Sequence, residues 1–220
     1  MLTSRFFTSN DKRLDTVVFP LPTPWWSRPY EYAWAAEFVK PTDVVLDAAC
    51  GIAHPFKFYL AGKCKAVHAV DKDERINDYI KIGDEIQKAF GDDALKSFIE
   101  SEMYCEPHCK QGDITALPYK NNMFDKVFSI SVIEHLPESD IQAALKEFHR
   151  TLKKNGTLIL TADYPTAAMI TVKDFAENAG FKLAGDIIPA LPDNAICLKY
   201  LGTKSLNCFR MALVKKKAGE

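Results

Sequence analysis

Residues 44–51, which read Val-Val-Leu-Asp-Ala-Ala-Cys-Gly, constrain the fold of this chain more than any other stretch. The first residues are apolar and β-branched, which is typical of a strand buried on both faces. The strand ends at Asp47, and residues with small side chains follow, so the backbone there can approach a ligand closely. In open α/β sheets, ligands bind at this end of the strands. The stretch therefore predicts an α/β fold with a ligand site beside Asp47.

A second predicted strand, Ala66–Asp71, also ends in a carboxylate. A short helix predicted at residues 55–61 joins the two strands into a strand–helix–strand unit. Asp71 lies 24 residues after Asp47, close to the offset of about 20 residues at which an acid binds ribose hydroxyls in nucleotide-binding folds. The alternative is an acid that only precedes the next helix, near Asp73.

The remaining pattern continues the alternation of strands and helices. Further strands are predicted near residues 104–111 and at 124–131, 157–161, 181–188 and 207–214. Pro20, Pro22 and Pro24 predict that residues 1–24 are irregular. The Asn155-Gly156 pair predicts a turn before the strand at 157–161.

Composition narrows the class of partner. The 220 residues are 47% hydrophobic, enough for one domain with a core. A net charge of −1 gives no support for binding nucleic acid or an anionic membrane. The chain shows no membrane-spanning stretch and no signal peptide, and its six cysteines are dispersed, so a cytoplasmic location is expected. Cys105, His108 and Cys109 offer zinc ligands, but no second cluster completes a set of four, and no metal is predicted.

Residues 25–34 are the most aromatic passage of the chain. Trp26, Tyr30 and Trp34 recur every four residues, so one face of a predicted helix is aromatic. This helix either packs on the sheet edge or, as part of an extension over residues 1–36, folds over the site as a lid that excludes water. Trp26 and Tyr30 are the candidate substrate-binding residues, because aromatic faces suit flat, apolar or cationic small molecules.

Four segments together resemble the class I S-adenosylmethionine-dependent methyltransferases of the small-molecule type. They are residues 44–51, 70–71, 112–118 with 124–136, and 152–160. The resemblance implies a doubly wound, Rossmann-like sheet of seven mostly parallel strands with helices on both faces, formed by residues 37–220. It also implies S-adenosylmethionine as the cofactor.

The same resemblance implies a role for individual residues. Asp47 would lie near the methionine amino group, Asp71 would hold both ribose hydroxyls, and Asp113 would reach the adenine amino group. Alanine stands at Ala49 and Ala53, where the family usually has glycine. The implied cofactor-binding residues are Asp47, Ala48, Ala49, Cys50, Gly51, Asp71, Lys72, Asp113, Ile114, Ser129 and Ile130.

The implied reaction is an in-line displacement, in which an acceptor attacks a methyl group on a sulfonium. Positioning alone can suffice for such a transfer. If a base takes part, His135 is the first candidate, because it follows a core strand and an imidazole titrates near neutrality. Glu134 is the second candidate and His54 the third. For Glu134 and His135 the alternative is a structural role in the loop beneath the cofactor.

Two other functions fit the pattern less well. A methyltransferase-like protein that binds a nucleoside ligand or a protein partner without catalysis is favoured by Ala49 and Ala53. A nicotinamide-dependent oxidoreductase shares the strand–helix–strand unit, but no Gly-x-Gly-x-x-Gly follows the first strand. Methyl transfer to a small molecule is the leading hypothesis.

Overall fold

The computed structural model describes residues 2–103, 106–199 and 205–217. The strands are β1 (Thr3–Phe6), β2 (Thr16–Val17), β3 (Phe19–Pro20), β4 (Val44–Ala48), β5 (Ala66–Asp71), β6 (His108–Gln111), β7 (Phe124–Ile130), β8 (Leu152–Tyr164), β9 (Phe181–Leu183), β10 (Asp186–Ile188), β11 (Cys197–Lys199) and β12 (Ser205–Lys215). The helices are α1 (Arg28–Ala36), α2 (Phe56–Ala61), α3 (Tyr79–Phe90), α4 (Asp92–Glu100), α5 (Glu138–Thr151) and α6 (Met169–Asn178), with single 3₁₀ turns at Glu74–Asn77 and Ile133–His135. None of these helices is long and apolar enough to cross a membrane.

Ten of the described strands form one sheet in the order β10-β1-β12-β8-β7-β4-β5-β6, and β9 and β11 also pair with β12. The five strands from β8 to β6 are parallel, whereas β12 is antiparallel to β8. The predicted mostly parallel α/β sheet is therefore confirmed. It has ten strands rather than seven, because β1 and β11 add to it and the strand predicted at residues 181–188 forms two strands, β9 and β10.

Both faces of the sheet are covered, as the apolar strands require. Neighbouring residues of β4 point to opposite sides. Val45 packs in a core cluster with Tyr32 of α1 and Phe56 of α2. Leu46 packs in another with Phe148 of α5. The two partners of β4 are β5 and β7, so the strand order reverses at β4 and opens a crevice at its carboxyl end.

The irregular structure predicted for residues 1–24 is wrong at Thr3–Phe6. These residues form β1, which pairs parallel with β10 and antiparallel with β12. The buried positions are Ser4 and Phe6. Because one of these two is polar, the hydrophobic alternation that would mark a strand in the sequence is missing.

The turn predicted at Asn155-Gly156 is also wrong. Strand β8 begins at Leu152 and runs through both residues. The ladder with β7 is irregular there: Phe124 pairs with Leu152, but Lys126 pairs with Thr157. A side chain at Gly156 would place its Cβ 2.7 Å from Leu152 Cδ2 and 3.1 Å from the Phe124 carbonyl oxygen. The glycine therefore serves close packing in a bulge.

Candidate active site

A cavity of about 60 Å³ lies at the carboxyl ends of β4 and β7. Five of the predicted cofactor-binding residues line it together. They are Asp47, Ala49, Cys50, Gly51 and Ile130. The sequence predicts a ligand site beside Asp47, at the end of β4. The structure brings these five residues together at that place.

Lys57 holds the loop that follows β4. This lysine of α2 is fully buried. Its ammonium group donates to the carbonyl oxygens of Gly51 at 2.7 Å, of Ile52 at 2.9 Å and of His54 at 2.8 Å. Three acceptors match the three donors of an ammonium group, so the buried Lys57 ammonium holds the loop in one conformation.

The loop itself turns through left-handed backbone conformations. Ala49 has a φ of 54° and Gly51 a φ of 64°. A Cβ at Gly51 would lie 2.5 Å from Cδ2 of His54, so the imidazole packs directly on the glycine backbone. Only glycine is free of strain and of a clash at position 51.

Ala49→Gly is expected to stabilise the protein by up to about 1 kcal/mol. A left-handed alanine costs about 1–2 kcal/mol, while the added freedom of glycine in the unfolded chain costs about 0.4–1 kcal/mol. The matched control is Ala48→Gly, at a buried position of β4 with no positive φ, which is expected to destabilise by about 1 kcal/mol. Urea denaturation measures both variants. Equal destabilisation by the two would show that Ala49 is not strained.

Asp71 lies at the carboxyl end of β5 and contacts the same loop. Its Oδ2 accepts the Gly51 N–H at 2.8 Å, and its Oδ1 accepts the Asp73 N–H at 3.1 Å. Each carboxylate oxygen can accept a second hydrogen bond, so both remain able to bind hydroxyl groups. Next to it, Lys72 forms an ion pair with Asp113 at 3.1 Å. Asp113 also accepts the N–H and hydroxyl of Thr115.

Asp47 is a buried acid in need of a cation. Burial raises the pKa of its carboxyl to about 7, and the charge of Asp71 adds to this rise while Lys57 opposes it. The ammonium group of Lys57 is already occupied by three carbonyls. A cationic group of a ligand in the cavity would therefore be favoured beside Asp47.

Arg28 and Glu31 of α1 form a buried ion pair at the cavity. Arg28 Nη1 donates to Glu31 Oε2 at 2.5 Å. The other Glu31 oxygen accepts hydroxyl groups of Ser131 at 2.6 Å and Thr161 at 2.5 Å. Burial opposes the Glu31 charge, but Arg28 and these hydroxyls lower the pKa of Glu31. Arg28 lines the cavity, and its other nitrogens have no hydrogen-bond partner among the described residues. They are available to an anionic group.

Three aromatic rings cover the loop. Trp25 stacks on His54 with ring centroids 4.1 Å apart. Tyr32 Oη lies 3.0 Å from His54 Nδ1, and both Tyr32 and His54 line the cavity. Burial and the charges of Arg28 and Lys57 hold the pKa of His54 well below its usual range. The imidazole is therefore neutral at pH 7.

The first two candidate bases, His135 and Glu134, occupy different environments. His135 is exposed on the 3₁₀ turn that follows β7. Glu134, beside it, is buried, and its Oε1 accepts the Asp163 N–H at 3.3 Å. Burial, with the nearby Asp163 and Glu31 charges, raises the pKa of Glu134 to about 8. Burial and the Glu31 charge likewise raise the pKa of Asp163 to about 6.

The other predicted residues do not line the cavity. Ala48 and Ile114 lie in the core on the α5 side of the sheet. Ser129 is fully buried, and its hydroxyl has no partner among the described residues. Tyr30 is buried beneath the Arg13 guanidinium, and Trp26 is half-buried in the same core cluster. The aromatic residues of this segment that meet the site are instead Trp25 and Tyr32.

Sequence reasoning did not identify Arg28, Glu31, Tyr32 or Lys57. Lys57 had a visible signal, since it is the one charged residue in the otherwise apolar or aromatic run at positions 56–61. Glu31 had none, because its hydroxyl partners lie 100 or more residues along the chain. The partner of Arg28 is Glu31 itself, three residues away. Cys105, one of the zinc candidates, lies outside the described residues, among which no three His, Cys, Asp or Glu side chains are grouped to hold a metal.

The residues present fit S-adenosylmethionine. The amino group of the cofactor supplies the cation that Asp47 lacks. Arg28 has unused donors for the cofactor carboxylate, and Asp71 can still accept from the two ribose hydroxyls. A zwitterionic amino acid joined to a ribose satisfies all three requirements.

Known proteins share both the sequence pattern and the fold. A family described as a methyltransferase domain matches residues 46–160. Phosphoethanolamine N-methyltransferase 1 of Arabidopsis thaliana is 30% identical over 139 residues, which cover 63% of this chain and 24% of that protein. The chain thus spans about a quarter of the length of the curated relatives it matches.

Solved structures extend the likeness over most of the fold. A TehB-like SAM-dependent methyltransferase from Corynebacterium glutamicum has a TM-score of 0.59 at 19% identity, covering 84% of this chain and 87% of that chain. A SAM-dependent methyltransferase from Aquifex aeolicus has a TM-score of 0.56 at 16% identity, covering 83% and 88%. At such identities the likeness concerns the fold.

Proposed function

Because this chain belongs to the class I S-adenosylmethionine-dependent methyltransferase family, we propose that it transfers a methyl group from S-adenosylmethionine to a small-molecule acceptor by in-line displacement. The observation that carries the proposal is that one cavity holds the buried carboxylate of Asp47 beside the donors of Arg28, and that neither group is fully paired by the described residues. When bound, S-adenosylmethionine supplies both the electrophilic methyl group and the sulfonium leaving group.

The chain's own residues divide the binding of the cofactor among them. Asp47 takes the amino group and Arg28 the carboxylate of the methionine part, while Asp71 accepts from the ribose hydroxyls. The Lys72–Asp113 ion pair lies at the adenine end, and Ile130 lies beside the methionine part. The support for these assignments is the position of each group at the carboxyl end of its strand or on α1.

Residues 1–36 cover the site formed by residues 37–220. The support is that Arg28 and Tyr32 line the cavity and that Trp25 stacks on His54 above the loop. Such a cover excludes water from the reacting groups and strengthens each electrostatic contact beneath it. Of the two candidate bases, buried Glu134 is better placed than exposed His135 to exchange a proton with an acceptor inside the protein.

A small acceptor and a cytoplasmic location accord with the same features. The cavity is small, about 60 Å³, and a net charge of −1 gives no support for binding a nucleic acid or an anionic membrane. Every cysteine in the described ranges is a free thiol, which suits a reducing compartment.

Calorimetric titration with S-adenosylmethionine, with its demethylated product and with NAD tests the proposal. We expect the first two to bind and NAD not to bind. Binding of NAD alone would favour an oxidoreductase and would contradict the proposal. Binding of S-adenosylmethionine without release of demethylated product over a panel of acceptors would favour the non-catalytic alternative.

A further inference from the structure

Two acids beside the site, buried Glu134 and half-buried Asp163, each have one buried carboxylate oxygen without a hydrogen-bond donor among the described residues. Glu134 is 8% exposed and follows β7; Asp163 lies near the carboxyl end of β8. Glu134 Oε2 and Asp163 Oδ1 are buried with no hydrogen-bond partner in the described parts of the chain. Buried acceptors are normally paired, and those that are not call for an explanation such as a ligand.

Glu31, the neighbouring acid, has a full set of hydrogen-bond partners. Glu31 is bound by Arg28, Ser131, Thr161 and the Cys208 thiol. Around it, three acids (Glu31, Glu134 and Asp163) share one described cation, Arg28, whose Nη1 binds Glu31 and whose other donors are assigned to the cofactor carboxylate. Glu134 and Asp163 are therefore left with a deficit of both positive charge and donor hydrogens.

We infer that Glu134 and Asp163 bind the nitrogen of the methyl acceptor, which is a primary or secondary amine. This inference rests on the proposed function and names the substrate class of the same site. An ammonium group has two or three N–H donors and a positive charge, which satisfies both unpaired oxygens at once. A hydroxyl group has one donor and no charge, and a quaternary ammonium group has no donor.

A cleft beside Glu134 gives the amine a place for its carbon chain. Glu134 is one of the residues lining a cleft of about 250 Å³ between the 3₁₀ turn at Ile133–His135 and the residues that lead into α6. Ile133, Leu136 and Phe175 line the same cleft. Three residues before Glu134, Ser131 lines the cofactor cavity. Glu134 thus belongs to the segment that reaches both spaces, and Asp163 lies against it, since the Asp163 N–H donates to Glu134 Oε1 at 3.3 Å.

The pair also accounts for the proton that an amine must lose. The acceptor arrives as an ammonium ion, whose positive charge favours the ionised form of Glu134. The Glu134 carboxylate then takes one of the ammonium protons, which frees the nitrogen lone pair. The lone pair forms the new C–N bond as the C–S bond breaks, and the sulfur keeps that electron pair and becomes a neutral thioether. A carboxyl group whose pKa is raised to about 8 by burial has a proton affinity close to that required.

NMR titration of the full chain with n-butylamine and with butan-1-ol tests the site without the cofactor. The two probes share a carbon chain and differ only in the headgroup. We expect n-butylamine to shift the amide signals of Glu134 and Asp163 saturably and the alcohol to leave them unchanged. The isosteric double variant Glu134→Gln, Asp163→Asn is expected to weaken amine binding by about 10-fold or more.

Glu138→Gln is the matched control, since this exposed acid lines the same cleft. It is expected to change amine binding by no more than about 2-fold, as solvent-exposed charges do. Equal shifts with both probes, or an unchanged response in the double variant, would show that the two acids only share a proton and would overturn the inference.

Initial rates with S-adenosylmethionine and paired alkyl amines and alcohols test the chemistry. We expect amines alone to be methylated, and the double variant to lower kcat/KM by about 100-fold or more, while the affinity for S-adenosylmethionine stays within about 3-fold. Methylated alcohols, or full activity of the double variant, would refute the inference. Failure of the native chain to bind S-adenosylmethionine would refute the proposed function instead, and the n-butylamine titration would still decide the amine site.

Discussion

Glu31→Ala is expected to lower the free energy of unfolding by about 3–5 kcal/mol. Glu31 is fully buried and is the partner of the Arg28 guanidinium. Without it the arginine is an uncompensated charge inside the protein, and the hydroxyls of Ser131 and Thr161 lose their common acceptor. Urea denaturation, followed by circular dichroism, measures the loss.

Glu37→Ala provides the control from the end of the same helix. Glu37 is exposed, and its one ion pair among the described residues is with the exposed Lys12, at 3.2 Å. Its loss is therefore expected to change stability by about 0.5 kcal/mol or less. The double variant Arg28→Met, Glu31→Leu should recover part of the loss, because it leaves no unpaired charge. If Glu31→Ala costs no more than Glu37→Ala, the buried network does not hold α1 to the ends of β7 and β8.

Asp71→Ala is expected to weaken the binding of S-adenosylmethionine by about 100-fold or more. Hydrogen bonds to a charged group contribute about 1.5–3 kcal/mol each, and the variant loses the acceptor for two ribose hydroxyls. It also releases the Gly51 N–H, which Asp71 holds at 2.8 Å. Calorimetric titration of the native and variant proteins measures the change, and thermal melting confirms that both are folded.

Asp73→Ala is the matched comparison, two residues further along the chain. Asp73 is bound by Arg75 and accepts the Arg75 N–H, so it is engaged away from the cavity. Its replacement should leave the affinity for S-adenosylmethionine within about 3-fold, as expected for an independent site. Similar losses in both variants would mean that the acids act through the shape of the loop after β5 and would contradict the ribose assignment.

The sequence predicts those parts of the fold and site in which a functional residue lies directly at the end of a recognisable strand. The strands ending at Asp47 and Asp71 follow from short apolar runs with an acid at the end, and the structure places both acids at the carboxyl ends of neighbouring parallel strands. The mostly parallel sheet follows from the alternation of strands with helices. These features depend on residues close together in the chain, which is why pattern reasoning reaches them.

The parts that pattern reasoning missed depend on distant partners. Glu31 meets Ser131 and Thr161 across separations of 100 and 130 residues, and nothing in its own helix indicates this. The four-residue spacing of Trp26, Tyr30 and Trp34 does predict a helix with a buried aromatic face. It does not reveal that Arg28 and Tyr32, on another side of that helix, line the cavity. Tertiary contact decides which face is functional.

The pairing of β1 with β10 and β12 has a consequence for synthesis. Arg5 pairs with Arg210 and Thr3 with Asp186, so β1 leaves the ribosome before either of its partner strands exists. Until those strands emerge, Phe6 and Phe7, both buried in the finished fold, have no sheet to cover them. Transiently exposed apolar segments of this kind are what chaperones bind. A newly made chain thus exposes, next to its first strand, aromatic side chains that the folded protein buries.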